Sequence, residues 1–432
     1  MTSQASRVAV VGGGIGGMAA ANAMIRRGID VTVYEQAPAL GEIGAGVLIT
    51  PNSLRLLERM GMGDALERSG ARTGVGSQYY RKDGTLVAPI LTTDSSGWNG
   101  MYGVHRADLL TILTDSLPDG VIKTDHKCIG FEQAEHLARL SFKNGAEVEA
   151  DIVIAADGIQ SVLRRYVVPP SAPVHSGSVA YRGLIPAADL PWWPKGVSRL
   201  WMGDGKHFLV YPVRSGELIN YVGFVPSGEH PRESWSAPGD PAALAEAFSG
   251  WDPRVTELLA QVKTTYWWGL YDREPLAKWT NGRLTLLGDA AHPMLPHLGQ
   301  GANQSIEDGV VLANKLEGAT SETAPESLRS YESIRRARTR EVQVNARRNG
   351  ARYDSSYVDL AARDAKIVAS VALRIWLYDY DPEESSEVSQ KASFRNWKER
   401  HHNVRKKRKS TSHHRSGDRV ILPAPRRLCH HP

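Results

Sequence analysis

The stretch that most constrains this chain is Val8-Ala9-Val10-Val11, followed by Gly12-x-Gly14-x-x-Gly17 and an Ala-rich run to Ile25. An apolar strand that meets a glycine turn and opens a helix is the first half of a β-α-β unit. Each glycine has its own mechanical role. Gly12 allows the tight turn, Gly14 lets the backbone approach a pyrophosphate, and Gly17 lets helix and strand pack closely. The helix start offers N–H groups with no partner inside the helix, which suit phosphate oxygens. A second strand, Val31-Thr32-Val33-Tyr34, ends at Glu35. An acid about 20 residues beyond such glycines is placed to bind the ribose diol of an adenine dinucleotide. The glycines alone are a weak signal, but strand, helix and acid together point to a dinucleotide site.

With 432 residues the chain has room for two large cores, and its composition is that of a globular protein. The first strand begins near Arg7, too early for a secretory leader, and no apolar run is long enough to span a bilayer, so a cytoplasmic enzyme is expected. Cys128 and Cys429 are the only cysteines and lie far apart; neither metal-ligand nor redox-pair spacing is present, and no metal site is expected. Charge is unevenly placed. From Lys391 onward thirteen Lys or Arg stand against two acids, a surplus of 11, which leaves −6 for the rest of the chain out of the +5 total. The basic balance therefore says nothing about nucleic-acid binding by the folded part. The tail has too few apolar residues to fold alone and is expected to be a disordered extension.

After Glu35 a glycine-rich loop, Gly41 to Gly46, leads to a helix from Ser53 to Met60, with Asn52 or Ser53 as its cap and Leu54, Leu57 and Met60 on one face. Residues 76–100 read as a strand and a polar loop, and a further helix starts at His105-Arg106. Arg106 at a helix start opposes the macrodipole, so an anion nearby is expected, and a cofactor phosphate would serve. Alternation at 121–123 and 137–151, with the turn Asn144-Gly145, predicts a hairpin returning to the sheet. The buried strand from Asp151 to Ala156 ends in Asp157-Gly158, with a helix starting near Ser161 and Arg164. Loops at the carboxyl ends of strands are where doubly wound sheets hold ligands.

Residues 171–280 change character: glycine, proline and tryptophan are dense and the strands are long and alternating. Ser178–Arg182, Ser198–Met202, His207–Tyr211 and Leu218–Val225 fit an antiparallel sheet inserted into the first domain, followed by a helix of about fifteen residues ending near Trp251. Trp267 and Trp268 are read as core packing. The chain then returns through Leu284 to Leu287 into Gly288-Asp289-Ala290-Ala291-His292, and on through Pro296, Gly299 and Gly301 to a helix carrying Glu307 and Asp308. Two more helices are expected at about 326–348 and 356–378. The predicted fold is α/β: a Rossmann-type domain over 1–170 and 281–384, a mostly antiparallel sheet domain over 171–280, C-terminal helices, and a tail over 385–432.

Three stretches now stand in order: Gly12-x-Gly14-x-x-Gly17 with Glu35, Asp157-Gly158-x-x-Ser161-x-x-Arg164, and Gly288-Asp289-Ala290-Ala291-His292-x-x-x-Pro296. Together they resemble the single-component FAD-dependent aromatic hydroxylases, the group that includes salicylate hydroxylase, 3-hydroxybenzoate 6-hydroxylase and 6-hydroxynicotinate 3-monooxygenase. The resemblance spans roughly residues 7 to 381. It implies FAD as cofactor, with Glu35 on its ribose, Arg106 on a phosphate, Asp289 on the ribityl chain, and Asp157 serving FAD and NAD(P)H together. It also implies that Pro296 lies beside the flavin and that Gly301, Ala302 and Asn303 contact its ring. NADH or NADPH is then a transient co-substrate, in keeping with a single glycine fingerprint. Triplet oxygen reacts poorly with aromatics, so a reduced flavin would supply electrons and form a C4a-hydroperoxide, which needs a dry pocket between the two domains.

His207 and Tyr211 lie four apart on a strand and share a face with Leu209. The resemblance places this His and Tyr near the substrate ring, and His297 matches a histidine of several members. His207 is the expected base, because an imidazole is mostly neutral near pH 7 whereas a phenol is mostly protonated. Leu48 stands where the hydroxynicotinate enzyme carries a histidine, and Pro296 takes the place of a glutamine of the 3-hydroxybenzoate enzyme, which leaves a salicylate-type substrate. The expected partners are a small aromatic acid and O2, with neither nucleic acid nor membrane engaged and a homodimer compatible with the reading. An FAD oxidase or reductase without oxygen insertion is the alternative; a nucleic-acid-binding protein acting through its tail is the third reading.

Overall fold

The computed structural model describes residues 7–41, 45–227, 237–354 and 359–384. At its centre the strand Arg7–Val11 pairs in parallel with Asp30–Tyr34 on one side and Ile152–Ala155 on the other. Leu284–Leu286 extends the sheet in parallel beyond Ile152–Ala155, and Ile122–Lys123 pairs in parallel with Asp30–Tyr34 at the opposite edge. These strands are apolar along their length because both faces are covered. One cover is the helix Ile15–Ile25, whose Ala-rich sequence lets another backbone come close. A Cβ at Gly309, on the helix Gly301–Leu316, would lie 2.8 Å from the Ala20 backbone. The turns at Gly12, Asp157 and Gly288 thus all emerge at the carboxyl end of this sheet.

The second sheet has eight strands in the order Ala237–Gly239, Thr265–Asp272, Val174–Pro186, Leu218–Pro226, Lys206–Val213, Arg199–Gly203, Gln78–Arg81 and Leu86–Pro89. Its pairings are antiparallel except for Arg199–Gly203 with Gln78–Arg81. Strict alternation sorts its two faces. Phe208 and Val210 pack with Tyr221, Trp201 and Phe248 in an aromatic core under two short helices, while His207, Leu209 and Tyr211 turn to the other face.

Several local expectations are corrected. The sheet borrows residues 78–89 from the stretch assigned to the first domain. The hairpin Ala138–Phe142 and Glu147–Ala150 turns at Asn144-Gly145 as expected, with Gly145 at φ +87°, but it joins Cys128–Gln133 in a separate three-stranded sheet. The helix expected to end near Trp251 is short, Pro241–Ala247, and a second one, Pro253–Leu259, follows Trp251. Asp240 and Asp252 each cap one, and the following proline breaks any continuous helix. The helix expected from Ser53 to Met60 starts earlier, at Pro51 with Thr50 before it, because the Asn52 and Ser53 side chains are drawn into tertiary hydrogen bonds. The last stretch is one long helix, Ala324–Asp354, and two short ones, Leu360–Ala369 and Val371–Tyr378. The stretch after Ser161 is a single 3-10 turn, Leu163–Tyr166. Cys128 is buried, and burial pushes its thiol up to about 11, which leaves it inert. Contacts group the chain to Pro382 as one unit; the tail from residue 385 lies outside the described residues. No helix among the described residues is long and apolar enough to cross a membrane.

Candidate active site

The three fingerprint glycines differ in what they face. Gly12, at φ +112°, would place a Cβ 2.3 Å from the Ala156 carbonyl oxygen, and a Cβ at Gly17 would lie 2.0 Å from the carbonyl oxygen of Gly12. Both are obligatory for the turn. A Cβ at Gly14 would meet nothing within 4 Å, because Gly14 borders a cavity of about 470 Å³. Glu35 braces the same turn: Oε2 accepts from the Gly13 N–H at 2.6 Å and Oε1 from the Ala37 N–H at 2.8 Å. A carboxylate has about four acceptor positions, so two are left for a diol.

Two further strand-end turns close on the cavity. Asp157 Oδ2 accepts from the N–H groups of Val162 and Leu163, which fixes the turn, while Oδ1 is buried with no hydrogen-bond partner among the described residues. Gly158 and Gln160 border the cavity; the Asp157 side chain is turned into its own loop. Arg164 ties this turn to the next: it donates to the carbonyls of Ile159, Asp289 and Ala290 at 2.8–3.0 Å. Burial and the nearby Arg273 pull its guanidinium down to about 10. Asp289 is exposed on the cavity wall, and its carboxylate accepts no hydrogen bond from a described residue. Desolvation by the surrounding protein raises its pKa against the opposing pull of His292, Arg106 and Arg164.

The third component is the start of the helix Gly301–Leu316, where Gly301 and Ala302 border the cavity and no side chain caps the helix. Its first N–H groups are therefore presented to whatever occupies that space. Asn303 departs from expectation. Oδ1 accepts from the Thr50 N–H and the Ser53 hydroxyl, and Nδ2 donates to the carbonyls of Leu48 and Gly299. With its side chain saturated and fully buried, Asn303 clamps the loop and offers a ligand no side-chain group.

A buried ionic hub, invisible in the motifs, holds this loop from behind. Asp308 accepts from the Gly288 N–H at 3.0 Å, pairs with His292 Nε2 at 2.5 Å and receives Arg335 Nε at 2.6 Å. Glu307 receives Arg335, Arg338 and Asn52 at 2.5–2.8 Å. Burial alone would raise both carboxyls; the arginines, with His292 on Asp308, outweigh it and hold both below the usual carboxylate range.

The opposite wall comes from the second sheet: Leu209, Tyr211, Val222, Phe224, Arg182 and Trp268. The Arg182 guanidinium lies 4.4 Å from the Trp268 ring centre. Trp268 is thus a wall residue and not core, whereas Trp267, on the other face, stacks on Tyr181. Their alternation along the strand could have separated them. Tyr211 reaches the glycine loop because Gly46 has no side chain; a Cβ there would lie 2.8 Å from the Tyr211 hydroxyl. Burial raises the Tyr211 pKa, with Arg182 opposing, so it remains a neutral phenol. Pro296 is on the wall, but neither histidine is. His207 lies one strand step beyond Leu209, stacked flat on Phe224 at 4.0 Å, and His297 meets its edge at 5.1 Å. The end of the long helix covers both: a Cβ at Gly350 would strike the His297 ring. Among the described residues no group of three or more His, Cys, Asp or Glu could hold a metal.

The observed groups fit FAD. An open approach at Gly14, a polyol acceptor at Asp289 and an uncapped helix start at Gly301 lie on one cavity. Residues 5–346 match the family model described as FAD binding domain. A 3-amino-4-hydroxybenzoate 2-monooxygenase of Streptomyces platensis is 38% identical over 387 residues, covering 87% of this chain and 96% of that protein. The 6-hydroxynicotinate 3-monooxygenase of Bordetella bronchiseptica is 36% identical over 346 residues, covering 78% and 89%. Among solved structures, a salicylate hydroxylase substrate complex superposes with a TM-score of 0.77 at 27% identity, covering 90% of this chain and 98% of that one. A match to the family model over most of its length, joined to relatives that hydroxylate aromatic rings, means that this chain belongs to the FAD-dependent aromatic monooxygenases.

Proposed function

We propose that the protein hydroxylates a small aromatic acid of the hydroxybenzoate or hydroxypyridine-carboxylate class, with NADH or NADPH as electron donor and O2 as the source of the inserted oxygen. The single observation that carries the substrate class is one apolar wall bearing a cation, Arg182 over Trp268, and a neutral phenol, Tyr211. A carboxylate with a ring hydroxyl complements that pair. Bound FAD supplies the electron transfer and oxygen activation that no side chain can provide. Gly14, Asp289 and the Gly301 helix start would hold it, with Glu35 at its ribose and Arg106 at a phosphate.

The chain's own residues do the rest. Leu209, Val222 and Phe224 keep water from the reacting ring. Arg182 fixes the carboxylate and Tyr211 orients the ring hydroxyl. Ring hydroxylation by an electrophile is favoured by ionising that hydroxyl, and Tyr211, held protonated by burial, cannot be the acceptor. His207, set off the cavity wall and stacked on Phe224, takes up the proton in this reading through an intervening water, and His297 stays neutral because burial and the neighbouring His207 hold its pKa well below that of an ordinary imidazole. The test is a purified enzyme assayed with salicylate, 3-amino-4-hydroxybenzoate and 6-hydroxynicotinate under labelled oxygen gas. Substrate-stimulated NAD(P)H oxidation with label in the product is expected. Oxidation without label in any product would instead favour an oxidase or reductase. Arg182→Met should raise KM by roughly 10–100-fold with FAD retained.

A further inference from the structure

His207 is a buried imidazole, 1% exposed, that is not alone. Its Nδ1 lies 2.5 Å from Oδ1 of Asp354, the last residue of the long helix Ala324–Asp354, whose side chain is 23% exposed. Phe224 on one side, Tyr353 at 5.2 Å and His297 at 5.1 Å hold the ring in its plane. The two histidines touch, yet among the described residues only His207 has a carboxylate. His297 Nδ1 is buried without a hydrogen-bond partner among the described residues. A carboxylate accepting at Nδ1 fixes the tautomer that leaves Nε2 as the basic nitrogen, and it compensates the imidazolium once a proton arrives. Of the two rings, only His207 thus has a described carboxylate placed to compensate an added proton.

We propose that Asp354 is a positioning residue for ring hydroxylation, holding His207 by Nδ1 from the end of the long helix so that Nε2 stays the basic nitrogen. The proton of the ring hydroxyl is taken up at Nε2, the Asp354 carboxylate compensates the imidazolium while keeping the Nδ1–H, and the proton returns to water from Nε2, which restores the starting tautomer; no electrons move in this step. The inference rests on the reading that His207 takes up that proton.

The experiment compares the FAD-loaded wild type with Asp354→Asn, Asp354→Glu, His207→Ala and the His207→Ala/Asp354→Asn double variant. Asp354→Asn should lower product formation about tenfold or more and release hydrogen peroxide in its place, with KM and flavin content unchanged. Asp354→Glu should restore most of the loss. Adding Asp354→Asn to His207→Ala should cost nothing further, because the carboxylate acts only through the imidazole. Imidazole nitrogen NMR should show the Nδ1–H tautomer of His207 in the wild type and its loss in Asp354→Asn. If His207→Ala is impaired and Asp354→Asn is not, or if the double variant is additive, the Asp354 inference falls alone. A fully coupled His207→Ala enzyme overturns both readings.

Discussion

Replacing Asp289 separates cofactor binding from folding. Its carboxylate opens to the cavity. Asp289→Ala removes a charged acceptor from a polyol that would otherwise be unpaired, a loss of about 1.5–3 kcal/mol, equivalent to FAD binding weaker by roughly 10–150-fold. At a free FAD concentration about 100 times the wild-type Kd, a hundredfold weakening reduces the stabilisation by ligand from about 2.7 to about 0.4 kcal/mol. The apoprotein should be little affected. The carboxylate is exposed to the cavity and accepts no hydrogen bond from a described residue, so without FAD it contributes little to the fold. Apo Asp289→Asn, nearly isosteric, should then melt at or near the wild-type temperature. Titration of apoprotein with FAD, read by flavin fluorescence, and thermal melts of the same samples give both quantities. Unchanged FAD affinity in Asp289→Ala, or an Asp289→Asn apoprotein that melts several degrees lower, would refute the placement of Asp289 as a cofactor acceptor.

The ionic hub should make the fold acid-labile. Glu307 and Asp308 have folded-state pKa values below the ordinary range, so their contribution is present above about pH 4.5 and is lost as pH falls further; urea midpoints at pH 7 and pH 3.5 check this. Arg335→Ala should cost about 3–5 kcal/mol by leaving both carboxylates buried and undercompensated, measured by urea unfolding. Gly46→Ala should displace Tyr211, costing about 1–3 kcal/mol of local packing and raising the KM for the aromatic acid while FAD affinity holds, as steady-state kinetics would reveal. Deleting residues 386–432 should leave flavin content and turnover unchanged, because that stretch is charged and poor in apolar residues. Cutting further, before Leu377, removes one of the acceptors of Arg338, the Leu377 carbonyl, and the bidentate Arg59–Asp381 pair, and should lower the melting temperature.

What could be read along the chain was whatever its neighbours enforce. The steric need for glycine at position 17 comes from the Gly12 carbonyl five residues away, the acid at Glu35 follows from strand and helix lengths, and alternation alone put His207, Leu209 and Tyr211 on one face. The fold class and the cofactor cradle follow from such local rules. The tertiary structure decided which of these residues a ligand can reach. Asn303 looked like a cofactor contact and is consumed by Leu48, Thr50, Ser53 and Gly299. Trp268 looked like core and faces the cavity. Asp354 carried no signal at all, because its partner His207 lies 147 residues away. Hydrogen bonds and burial between distant segments depend on how elements pack. A side chain's chemistry is written in the sequence, but whether that chemistry faces a ligand or another part of the protein is set by the packing.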